Sequence, residues 1–231
     1  MGKQYRYVTL VSSLPAHLPS LFAAKQTPIS RIGLNRRLTM LTPEDSHELK
    51  LIEEVMQWSR IHTNLSDADL IRRADRVMKE VNSDLLRQIV LWRLELRTVV
   101  SALRHKYRGL ALPSEDAAWG YGRWQRLIRR HWNEPDLGMQ RIFPWVAEAD
   151  HLMAEKNTFD LERLVLRQVW DYYGHIVSGH YFDFEAVVVY VLRWNVIDRW
   201  ARYNSKDAGE RFDRLVARAL GGYTELYEPA A

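Results

Sequence analysis

From Leu86 to Tyr107 apolar side chains recur every three or four residues, and no other feature limits the fold so sharply. Leu86, Ile89, Val90, Leu96, Val100, Leu103 and Tyr107 fall on one helical face, and Arg93 is the only polar residue among them. Ser83-Asp84 supplies a start signal, Gly109 a stop, and Pro113 stands close behind it. The stretch therefore predicts a long amphipathic helix. Start signals of the same kind recur at Thr42-Pro-Glu-Asp45, Ser66-Asp-Ala-Asp69, Ser114-Glu-Asp116 and Thr158-Phe-Asp160. Each places a hydroxyl at the unpaired first amides of a helix and an acid at the positive end of its dipole.

Breaks are expected at Asn133 to Gly138, at Asn157, at Gly174 to Asp183 and at Tyr203 to Gly209. They divide the chain into about seven or eight helices joined by short loops. Only Tyr5 to Val11 has the Tyr/Val/Thr content of a strand, and one strand cannot make a sheet. The expected fold class is all-α: a multi-helix bundle with an extended or short helical N-terminal segment packed on it. A single helical domain over residues 1–231 is expected, with two lobes meeting near 109–114 or 133–138 as the alternative division. The last residues, Tyr227 to Ala231, should be loose.

The absence of cysteine excludes disulfides, thiolate nucleophiles and Cys-based zinc or iron–sulfur sites. No run approaches the roughly 18 to 20 apolar residues of a membrane span; Phe184 to Leu192 comes nearest and is bounded by Asp183 and Arg193. Net charge is +4, and only 7 of the 33 cations are Lys. Arginine forks suit carboxylate and phosphate, so an acidic protein or a nucleic acid is the indicated partner, unless the arginines merely solvate ordinary faces.

Residues 1–43 hold six cations, Lys3, Arg6, Lys25, Arg31, Arg36 and Arg37, and no acid. The apolar run Val8 to Val11 is too short for an export signal, and Pro15, Pro19 and Pro28 would break the helix of a transit peptide. The segment is expected to belong to the folded protein.

Residues with catalytic potential do not assemble into a convincing site. Gly120 and Gly122 in "WGYGRW" lack the lysine-serine pair and preceding strand of a phosphate loop. Glu-x-x-His occurs twice, at Glu44/His47 and Glu148/His151, a pattern that a four-helix bundle can use to hold two metal ions. The first motif, however, contains the first acid in the chain, so no earlier helix can supply the remaining ligand. His175 and His180, with Asp171, Asp183 and Glu185 nearby, form a second candidate set, for which hydrogen bonding is the better expectation. No catalytic residue, cofactor or metal is expected. Arg123, Arg126 and Arg130, spaced by three and four among aromatic residues, form a basic stripe that would face phosphate or an acidic surface.

The run "YRYVTLVSSLP" at the start, "TPIS" at Thr27 to Ser30, "LTPED" at Leu41 to Asp45, and "FDFEAVVVYVLRWNVIDRWARYNSKDAGERFDRLV" from Phe182 to Val216 resemble a little-characterised bacterial family encoded among V-type (A-type) ATPase subunits. The resemblance brackets almost the whole chain. It implies a non-catalytic helical subunit or accessory protein standing in for the C (or d) subunit, which seats the central stalk on the rotor ring. The segment Leu94 to Gly109 is similar in style to that subunit's helices. The chain departs from it in being shorter and in lacking a threefold helical repeat. The implied partners are central-stalk and membrane-ring subunits, and the implied location is cytoplasmic, peripheral to the inner membrane through those partners. Arg93, Arg97, Arg104, Arg123, Arg126 and Arg130 are the candidate partner-binding residues. A basic helical nucleic-acid-binding protein is the alternative.

Overall fold

The Ser83 start signal opens a long helix that is buried along much of its length. In a computed structural model, which describes residues 5–56, 67–114 and 118–224, with side chains described as far as Asn204, this helix runs Asp84–Tyr107 and is fifth in chain order. Ser83 Oγ accepts the Leu86 amide, and at the far end Gly109 (φ 68°) lets the Gly109 and Leu110 amides reach back to the Lys106 and His105 carbonyls. That paired return satisfies carbonyls the helix cannot satisfy itself. Of the expected apolar face, Leu86, Ile89, Val90, Leu96, Val100 and Leu103 are buried and Tyr107 is exposed. Leu94, Val99 and Ala102 are buried as well, so the helix is covered on several sides.

Around it are α1 (Val8–Ser13), α2 (Arg31–Leu38), α3 (Pro43–Met56), α4 (Asp67–Glu80), α6 (Gln125–Arg130), α7 (Val146–Ala154), α8 (Thr158–Ile176) and α9 (Phe184–Thr224). With α5 (Asp84–Tyr107) they are the nine α-helices among the described residues, which contain no strand; a 3-10 turn covers Leu21–Ala23. The protein is all-α. Helix α5 packs against α3, α4, α6, α7 and α8, while α9 lies on α8, α3 and the 3-10 turn. Buried apolar side chains form one contiguous cluster from Tyr7 to Trp200. No helix among the described residues is long and apolar enough to cross a membrane.

Several boundaries differ from expectation. Of the two forms expected for the opening residues the short helix is the one found, over Val8–Ser13, and the stretch after it, interrupted by Pro15, Pro19 and Pro28, has only the 3-10 turn before α2. The cap of α8 is Asn157, not Thr158: its Oδ1 accepts the Asp160 amide at 3.2 Å and its Nδ2 donates to Asp160 Oδ2 at 2.8 Å. Tyr203 to Gly209 is no break, because α9 continues through it to Thr224. The segment contains no proline, and one interior glycine costs a helix only about 1 kcal/mol relative to alanine. The expected signals at Ser66 and Glu115-Asp116 and the tail from Tyr227 lie outside the described residues.

Candidate functional site

The loop holding Gly120 and Gly122 is built against two polar side chains of α5. Glu95, 1 % exposed, accepts the Arg123 amide at 3.0 Å and Arg123 Nε at 2.9 Å through Oε1, and Arg123 Nη2 at 3.2 Å through Oε2. One turn along, Thr98 Oγ1 accepts the Tyr121 amide at 2.6 Å. Tyr121 Oη donates to Asp75 of α4 at 2.9 Å; burial and that carboxylate push the phenol up to about 12. The glycines permit this approach. A Cβ on Gly120 (φ 66°) would stand 2.5 Å from Thr98 Cγ2, and one on Gly122 (φ 100°) would stand 2.3 Å from Glu95 Cγ. These residues hold the loop on the core.

The six arginines singled out from sequence therefore separate. Arg93 is buried and hydrogen-bonded to Tyr173, so it is not a surface residue; its place on the apolar face of α5 was the signal for that. Arg123 closes on Glu95, whose hydrogen bond first and charge second hold the guanidinium above its ordinary range, and it lies before α6 rather than on it. Arg126 and Arg130 are exposed on α6, above the buried Ile128, with no ion pair among the described residues. Their neighbour Arg129 donates to the Pro113 and Ser114 carbonyls and lies over the Trp119 ring. Arg97 and Arg104 share one face of α5, Arg97 half-buried near Asp67 and Arg104 at the surface near Glu162.

Residues from the four quoted stretches meet in space. The Tyr7 amide donates to the Phe182 carbonyl at 2.8 Å, Tyr7 Oη donates to Asp45, and the Thr42 amide reaches Tyr7 Oη at 3.4 Å. Tyr190 Oη donates to the Pro15 carbonyl at 2.8 Å, and Trp194 Nε1 donates to the Ile29 carbonyl at 2.8 Å. Arg31, immediately after "TPIS", forks onto the buried Glu53 of α3 with two bonds of 2.8 Å, and Asn195 Nδ2 completes the group at 3.0 Å. Between them His17 stacks on Tyr190 at 4.1 Å and meets the Trp170 edge at 5.9 Å. Its Nε2 is buried without a hydrogen-bond partner. Burial first, and then the Arg193 charge, lower His17 to about 4.

Neither sequence-derived metal motif becomes a bundle-core site. Glu44, His47, Glu148 and His151 are all exposed; His47 faces Glu80 at 3.7 Å and His151 faces Glu155 at 3.2 Å. The second candidate set divides. His175 Nδ1 bonds the Asp171 carbonyl at 2.6 Å, whereas His180, Asp183 and Glu185 lie within 4.8 Å of one another. Their atoms already have work: Asp183 Oδ1 accepts the Ala186 amide as the cap of α9, Oδ2 bonds His180 Nδ1 at 2.6 Å, and Glu185 accepts from Ser83 Oγ at 2.8 Å. The positive end of the α9 dipole also favours carboxylates there over a cation.

A cavity of about 90 Å³ remains between α3, α4, α5 and the glycine loop. Val55, Leu70, Ile71 and Leu94 give it apolar walls, and Arg97 and Ser101 stand on its α5 side. Glu54, Asp67 and Arg73 add both signs of charge. No protein-family model, curated protein or solved structure matches the chain.

Proposed function

We propose that this chain is a non-catalytic helical subunit or accessory protein of a V-type ATPase, coupling the central stalk to the membrane rotor ring. The observation that carries the reading is the convergence of the stretches bearing the resemblance. "YRYVTLVSSLP", "LTPED" and the "FDFEAVVV" end of the last helix meet through Tyr7, Thr42, Asp45 and Phe182, although up to 175 residues separate them. Residues that form one packed unit specify a fold together, so this convergence supports reading the resemblance as one of architecture rather than of an active site. A coupler needs stiff helices and charge complementary to its neighbours. The exposed Arg126 and Arg130 offer positive charge to acidic stalk or ring loops.

The test is a tagged chain expressed in its own host and recovered from gently solubilised membranes. Ring and stalk subunits should co-purify with it, and Arg126→Glu with Arg130→Glu should remove them while leaving the fold intact. Recovery free of ATPase subunits, with RNA or DNA retained at low salt instead, would replace this reading with the nucleic-acid one.

A further inference from the structure

Residues Leu14 to Ser20 cross from α1 to the 3-10 turn, and the core grips both ends of this crossing but little between them. Leu10 and Leu21 are buried on either side, whereas every residue from Val11 to Ser20 is at least partly exposed. Neither Leu14 nor Leu18 belongs to the apolar cluster or packs on it. What enters the body is the His17 ring, stacked on Tyr190 of α9 at 4.1 Å and against the edge of Trp170 of α8 at 5.9 Å, with Nε2 buried and unpartnered. The same two aromatic residues hold the backbone around it. Tyr190 Oη donates to the Pro15 carbonyl at 2.8 Å, and Trp170 Nε1 donates to the Pro19 carbonyl at 3.4 Å. Pro15 and Pro19 have no amide hydrogen to add. A crossing held by one ring and two carbonyls can lift between its buried ends while the apolar core stays closed.

We propose that Leu14–Ser20 is an acid-released strap with His17 as its latch: the neutral ring holds the strap shut, and protonating it lifts the strap off Trp170 and Tyr190 while the helices stay folded. The charged groups around the latch favour this. From α9, Arg193 lies over the Trp170 ring at 3.8 Å and puts a positive charge beside His17. From α8, Asp171 is exposed and acts on Arg193, and Arg167 is exposed over Phe22. From α2, Arg37 donates to the Ser13 carbonyl at 2.9 Å. Tyr190, pushed up to about 12 by burial, stays a neutral phenol. Among the described residues no carboxylate forms an ion pair with His17, so a second ring proton adds charge next to a cation and a donor where no acceptor stands. Burial first, and then Arg193, lower the closed ring to about 4, whereas a lifted ring returns to the ordinary 6.5. The open form therefore takes up the proton first and gains as pH falls through that window, by about thirtyfold between pH 7.5 and 5.0. The device acts on one segment, and it is independent of which assembly the chain serves.

Native-state proteolysis of the full chain tests it, because cleavage of a segment that must open first follows the open population. The probe is papain at pH 7.5 and 5.0, with cut sites read by mass spectrometry. Each rate is divided by the rate for a free peptide spanning Leu10 to Phe22, which removes the protease's own pH dependence. Cuts within α5 report global opening, and circular dichroism follows helix content. In the parent, normalised cleavage of the strap should rise about thirtyfold on going to pH 5.0, with α5 uncut and helix content unchanged. His17→Phe keeps a ring on Tyr190 but takes up no proton, and its rise should stay under about threefold, a change of less than 0.7 kcal/mol at about 0.6 kcal/mol per factor of e. If circular dichroism shows that variant misfolded, His17→Leu carries the comparison. A parent rise under about threefold, a variant rise above it, or α5 cuts that increase in step with the strap's would each overturn the proposal.

Discussion

Replacing Gly122 with alanine should be among the most damaging one-methyl changes available to this protein, and Gly109→Ala provides its control. Both glycines have positive φ, 100° and 68°, where an L side chain is strained by about 1–3 kcal/mol. They differ in what surrounds the new methyl. At Gly109 nothing lies within 4 Å, so strain is the whole cost, and φ near the left-handed well keeps it at about 1 kcal/mol. At Gly122 the methyl would stand 2.3 Å from Glu95 Cγ and 2.9 Å from its Oε1. Glu95 cannot swing aside cheaply, since three Arg123 donors hold it in a buried position. Losing charge-assisted bonds of that kind costs about 1.5–3 kcal/mol each, discounted here because the Arg123 side chain is largely exposed and water can replace part of what is lost. Strain and partial loss together give about 3–5 kcal/mol for Gly122→Ala. For a chain of this size that lowers the thermal midpoint by roughly 6–20 °C, against about 2–4 °C for Gly109→Ala. Urea titration followed by tryptophan fluorescence reads both variants, and Trp124 lies beside the loop as a local reporter. Adding Glu95→Ala to Gly122→Ala should cost less than the sum of the two single changes, because the obstacle is gone. Equal costs for the two glycine variants would refute the cradle.

Stability should fall as pH drops below about 6.5, the unfolded histidine value, toward the folded value of about 4 for His17. The folded state binds that proton less readily than the unfolded chain, so the loss grows through this window to about 3 kcal/mol. His17→Phe, which keeps the stack on Tyr190, should flatten the difference between urea midpoints at pH 7.5 and 4.5 relative to the parent; an unchanged difference would exonerate His17. Tyr7→Phe removes the Asp45 and Thr42 bonds and should cost about 1–2 kcal/mol in chemical denaturation, with little change in helix content. Asp183→Ala removes the α9 cap and its His180 partner and should cost about 1–2 kcal/mol. Zinc or manganese added to the parent protein should leave its thermal midpoint unmoved, and a metal-dependent rise abolished by Asp183→Ala would show that these residues bind a cation after all.

Helix α5 was legible because its apolar period persists for six turns and both ends carry local stop and start chemistry. Asn157 and Thr158 are adjacent and both cap well, so the choice between them fell to a side-chain bond with Asp160 that sequence does not show. At Tyr203 to Gly209, Asn, Ser, Asp and Gly look like a loop, but the run sits within an already long helix, where continuing costs less than stopping. The arginines were the least legible feature. Arg123 finds its partner 28 residues back, and the partner's burial depends on two glycines whose spacing says only that the chain turns. Arg93 was visible as the odd residue on an apolar face, yet charge alone grouped it with exposed neighbours. His17 gave no signal, because its environment comes from Trp170 and Tyr190 on the last two helices.

The acid-free opening segment carries a kinetic consequence. Its charges and backbone are satisfied by residues made later: Arg6 by Asp45, Arg31 by Glu53, the Tyr7 amide by Phe182, and the Pro15 and Ile29 carbonyls by Tyr190 and Trp194. On a ribosome Asp45 and Glu53 follow soon after, but Phe182, Tyr190 and Trp194 emerge only after most of the chain, whereas the α4–α5 hairpin closes over a three-residue turn as soon as it is made. The backbone of Tyr7, Pro15 and Ile29 is thus among the last to be placed, and until α9 arrives this stretch remains a cationic, tyrosine-bearing thread open to chaperones and proteases.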